Sequence, residues 1–167
     1  AVYEREHPEG FRWLHESFGT NWRMTEMQAA IGRIQLKRMP DWHKKRLNNA
    51  SSIWNAAKKC KGLRAADVPE YIEHAAYKCY IFVEGGVGIR DKMITEINEK
   101  GVPCYAGACP EIYLEKAFDN TGFKPKTRLV NAKKLGETSL MFLVHPTLTK
   151  QEIQKTCDVL TEVALAN

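Results

Sequence analysis

From Met24 to Lys58 the sequence keeps a helical rhythm, and whatever else the chain forms must accommodate it. Met24, Met27, Ile31 and Ile34 recur at three- and four-residue steps, and Leu47, Ala50, Ile53, Trp54 and Ala57 carry a second stripe. Thr25 followed by Gln28 fits a capping box, in which each side chain satisfies a backbone N–H at the helix start. Pro40 has no backbone N–H to donate, so the pattern predicts a kink or restart there and hence two helices. Both stripes read as core packing. Ala29, Ala30 and Gly32 leave part of the first helix almost bare, which lets a neighbour come close. Helices this long carry more apolar face than a small sheet needs, and the surplus predicts docking against another domain or subunit.

The remainder alternates strand and helix signals. KCYIFV (78–83) is rich in aromatic and β-branched residues and reads as a strand. GGVG (85–88) lacks the spacing and lysine of a phosphate loop and reads as a turn into a helix over 90–100, which Gly101 stops. VPCYAG (102–107) predicts a short strand, the later half of GACPEIYLEKAF a helical turn or two, and 119–128 a polar loop. A helix near 132–136, a buried strand SLMFLV (139–144) and an amphipathic terminal helix follow. Thr149 and Glu152 cap that last helix, and Ile153, Cys157, Leu160 and Ala164 form its apolar stripe. The expected class is α+β: a small mixed or antiparallel sheet of three or four strands, covered by helices and preceded by long N-terminal helices.

Bulk properties narrow the setting. A chain of 167 residues suits one domain with a core that needs no disulfide or metal staple. Its five cysteines are scattered without a C-x-x-C pair, so a reducing compartment, the cytoplasm, is expected and no zinc site. No apolar run reaches membrane-spanning length. The net charge of +5 concentrates around Lys37–Lys61, where a solvated helix face is the plain reading. A basic nucleic-acid-binding module is the alternative, resting on charge alone. The chain opens on Ala1, and its first eighteen residues show little periodicity, as if continuing something longer.

Residues 19 to 36, GTNWRMTEMQAAIGRIQL, resemble the G-x-N-x-R-M-x-E-x-Q-A-A-x-G-x-x-Q-L signature of the DegT/DnrJ/EryC1/StrS sugar-nucleotide aminotransferases. The likeness continues more loosely through Arg46, Ala50, HAAYKCYIFVE, Arg90-Asp91, Gly101-Val102 and SLMFLVHPTLT. It implies the C-terminal portion of a pyridoxal 5'-phosphate enzyme on the aspartate aminotransferase fold: residues 1–24 continuing from a missing cofactor-binding domain, 25–62 as interface helices, and 63–167 as the small domain. Members of the family transfer an amino group, commonly from glutamate, to a nucleotide-linked keto sugar, and pyridoxal phosphate is the electron sink. The Schiff-base lysine and the acid facing the pyridine nitrogen belong to the large domain. No segment here matches either, so no catalytic residue is assigned to this chain, and alone it is expected to be inactive and not to bind the cofactor.

The resemblance places the active site at a homodimer interface, with the 19–23 loop reaching into the partner's site. It implies Asn21 at the cofactor phosphate, and Arg23, beside Trp22, at an anionic substrate group, a role suited to a planar guanidinium. A turn residue and a surface ion pair are the plainer readings of Asn21 and Arg23. His145, before Pro146, is a candidate substrate contact at a strand end. Tyr105, with Glu111 and Tyr113, lies where many relatives carry His-Tyr-x-Pro-x-His. The sequence here is Cys104-Tyr105-Ala106-Gly107-Ala108-Cys109-Pro110, so the sugar is left open, and both cysteines read as packing. A dehydratase branch of the same family, with histidine in place of the Schiff-base lysine, is a second alternative. Neither a membrane nor nucleic acid is expected as a partner.

Overall fold

The computed structural model describes residues 18, 19 and 24–167. Eight main elements follow one another: α1 (Glu26–Ala57), β1 (Leu63–Ala65), β2 (Cys79–Val83), α2 (Val87–Glu99), β3 (Cys104–Tyr105), α3 (Val130–Thr138), β4 (Ser139–Phe142) and α4 (Lys150–Ala166). Two short 3-10 turns, Ile112–Leu114 and Lys116–Phe118, lie between β3 and α3.

The four strands form one sheet in the order β1-β2-β4-β3, every pair antiparallel. This is the α+β class expected, with antiparallel rather than mixed pairing. β1 was not expected from the sequence: its three residues are recruited by pairing Leu63 with Val83 and Ala65 with Ile81. Because strand side chains alternate, Cys79, Ile81 and Val83 enter the core on one face with Ala65, Cys104, Leu140 and Phe142. Three helices cover that face. α1 contributes Ala50, Ile53 and Ala57, α2 contributes Met93 and Ile97, and α4 contributes Val159, Leu160 and Val163. Each large aliphatic side chain buried in this way stabilises the fold by about 1.5–3 kcal/mol. The Trp54 indole N–H donates to the Tyr80 carbonyl at 3.2 Å, tying α1 to β2.

Both capping boxes form, Thr25 with Gln28 on α1 and Thr149 with Glu152 on α4. α1 differs from expectation in two respects. It is a single helix that runs through Pro40. The carbonyl freed by proline lies near the exposed Leu36, where water can satisfy it, so the helix continues. The second stripe is core, as expected, but the first is not: Met24, Met27, Ile31 and Ile34 are all more than half exposed. Periodicity showed an apolar face; the sheet is too short to cover it.

Candidate functional site

The sheet's other face presents Tyr80 and Tyr105. Register and alternation put Tyr80, Met141 and Tyr105 in one row across β2, β4 and β3, with Arg64, Phe82 and Ser139 in the next. The chain leaving β3 folds back over part of this face. The Ser139 hydroxyl donates to the Ala106 carbonyl at 2.6 Å, and the Ala108 N–H donates to the Tyr80 hydroxyl at 3.2 Å. Gly107 makes this closure possible. Its φ is +102°, and a β-carbon there would lie 2.6 Å from the Tyr80 ring. Tyr105, just before the fold-back, stays 44% exposed.

Buried polar groups tie the cover to the chain that follows it. Arg128 grips the buried Glu111 carboxylate in a fork, Nε on Oε1 at 3.0 Å and Nη2 on Oε2. The Tyr113 hydroxyl donates to Glu111 and accepts the Leu129 N–H at 2.8 Å. The Arg128 hydrogen bond holds the Glu111 carboxyl below its ordinary range, and burial raises the Tyr113 hydroxyl. Arg90, entirely buried, donates from Nη1 to the Gly136 carbonyl at 2.8 Å and from Nε to Asp91, so α2 and the end of α3 are locked together.

Asn21, Trp22 and Arg23 lie outside the described residues. Phe18, just ahead of them, packs edge-on against Phe118 with ring centroids 5.2 Å apart, at the end of the cover segment. His145 lies elsewhere. Tyr105 pairs with Met141, and the cover runs from there toward the Ser139 end, whereas His145 follows the opposite end of β4. Its Nδ1 is 2.8 Å from Thr147 Oγ1. The structure therefore does not bring His145 together with the 106–118 cover. Cys104 is buried on the core face and its thiol is pushed up to about 12 by burial, a packing residue rather than a nucleophile. Arg90 and Arg128 are the residues that sequence reasoning missed as partners. Glu111 and Arg128 are 17 positions apart, beyond any helical or strand period.

Residues 4–161 match the DegT/DnrJ/EryC1/StrS aminotransferase family. The chain belongs to that family. Among solved structures, the aminotransferase from Psychrobacter cryohalolentis is 55% identical, with a TM-score of 0.80 over 99% of this chain and 45% of that one. S. venezuelae DesV, solved in complex with a ketimine intermediate, is 22% identical with a TM-score of 0.73, over 92% of this chain and 40% of its own, a likeness of fold. The erythromycin biosynthesis sensory transduction protein EryC1 of Saccharopolyspora erythraea is 24% identical over 140 residues, 84% of this chain and 37% of that protein. The DegT/DnrJ/EryC1/StrS chain described here thus spans less than half the length of these relatives. Among its described residues no helix is long and apolar enough to cross a membrane.

Proposed function

We propose that this chain is the C-terminal part of a cytoplasmic, homodimeric, pyridoxal-phosphate-dependent aminotransferase. It passes an amino group from a donor such as glutamate to a nucleotide-linked keto sugar, in surface-polysaccharide or related amino-sugar synthesis. The observation that carries the reading is the 55% identity to an aminotransferase across almost all of this chain but under half of that one.

Among the described residues no lysine is buried. The division of labour proposed here gives the Schiff-base residue to the preceding large domain, because no segment of this chain resembles the family's lysine segment. Residues 1–24 lead out of that domain, 25–62 bridge, and 63–167 form the small domain. The exposed stripe of Met24, Met27, Ile31 and Ile34 supports this division, because apolar groups at that spacing are suited to burial against the large domain or the twin subunit.

On this reading Asn21 meets the cofactor phosphate in the partner's site. Arg23, with Trp22, Tyr105 and His145 as further contacts, meets the anionic substrate. Arg23→Lys in the intact enzyme is the test. The expected result is a raised KM for substrate with cofactor affinity kept, because an ammonium cannot reproduce the guanidinium fork. Unchanged kinetics would reduce Arg23 to a surface ion-pair residue.

A further inference from the structure

We propose that Arg128 is an anion-receiving residue: Glu111 holds one edge of its guanidinium so that the opposite edge stands ready for a phosphate or a carboxylate. A guanidinium carries five N–H donors in a rigid plane. Glu111 takes two of them, through Nε and Nη2. Both N–H groups of Nη1, and the outer one of Nη2, meet no acceptor among the described residues. Exposure divides the pair in the same way, with the Arg128 side chain 48% exposed and that of Glu111 4%.

The arrangement resists rotation. Tyr113 donates to the same carboxylate oxygen that receives Arg128 Nε, and its own oxygen accepts the N–H of Leu129, the residue after Arg128. The arginine is therefore fixed through its carboxylate partner and through its backbone neighbour. Burying a carboxylate to hold a cation costs desolvation that an apolar pair would avoid. What it returns here is a guanidinium aimed in one direction.

The charges beside the pair are of both signs. Two α3 residues act on the pair electrostatically: Lys133 on Glu111, and Glu137 on Arg128. Glu137 is drawn toward Lys133, 3.9 Å away. The planar edge suits two coplanar oxygens, which phosphate and carboxylate both offer. Anion capture at this edge needs no cofactor and stands apart from the aminotransferase reading.

The test is titration of the chain with inorganic pyrophosphate and, separately, with acetate at matched ionic strength, following by NMR the Leu129 backbone amide in every variant and, where arginine is kept, the Arg128 Nε–H. A saturable shift is expected. Preference for pyrophosphate assigns the edge to phosphate groups, and preference for acetate assigns it to carboxylates. Arg128→Lys keeps the positive charge beside Glu111 but loses the fork, so its affinity should fall at least about ten-fold. Glu111→Gln keeps the guanidinium and loosens its aim, and should also weaken binding. No saturable shift with either anion, or equal affinity in Arg128→Lys, overturns the proposal. If the lysine variant does not fold, the wild-type titration and Glu111→Gln still decide it.

Discussion

Gly136 of α3 lies directly against Pro110 of the cover segment, so that a β-carbon on Gly136 would sit 2.3 Å from the proline Cγ and 2.7 Å from its Cβ. A proline ring cannot swing aside as a lysine tip can. Gly136→Ala should therefore destabilise the chain by about 1–3 kcal/mol through overpacking. Gly88→Ala is the control. That glycine lies in α2, a methyl group added to it would meet nothing within 4 Å, and the change should be neutral or stabilise by up to about 1 kcal/mol. Chemical denaturation of the two variants measures the contrast.

The Glu111–Arg128 pair gives stability a defined acid dependence. Glu111 titrates lower in the folded chain, mainly because Arg128 hydrogen-bonds its charged form. Its contribution is therefore present above the ordinary carboxylate pKa of about 4.3 and is lost as pH falls through the lowered folded value. Melting temperatures of the native chain and Glu111→Gln should differ by a constant amount near neutrality and converge in acid. A gap that widens in acid would contradict the pairing.

The two capping boxes should differ in worth. Thr149 starts α4, which buries Ile153, Leu160 and Val163 in the core, so Thr149→Ala should cost about 1 kcal/mol of global stability. Thr25 starts the half of α1 that lies outside the core. Thr25→Ala should fray that end, visible as faster amide exchange at residues 26–29, with little change in the global unfolding midpoint.

The exposed stripe predicts behaviour in solution. Ile31, 58% exposed, can become Gln with less than about 0.5 kcal/mol change in stability. The same change should reduce self-association of the isolated chain in sedimentation velocity. Equal association by both forms would place the sticky surface elsewhere.

Much of the fold was legible because it is written locally. The strands at 79–83 and 139–142, the helix of residues 87–99 and the capped terminal helix follow from alternation, helical period and capping residues within a few positions of one another. Three features were not legible. β1 exists through its partner strand. The unbroken α1 depends on solvent around Leu36. The exposure of Met24 to Ile34 depends on where the sheet ends. Periodicity reports that a face is apolar, not what meets it. The candidate site divides in the same way. Asn21 and Arg23 stood out through a contiguous signature, whereas Arg128 and Glu111 meet only after the chain has turned back over the sheet.

The central claim, that this chain supplies recognition while the residue bonded to the cofactor lies upstream, can be tested by one mapping experiment. The intact enzyme is loaded with pyridoxal phosphate, reduced with borohydride, digested, and searched for the pyridoxyl-labelled peptide. The account predicts a label outside residues 1–167. A stoichiometric label on a lysine within them would contradict it.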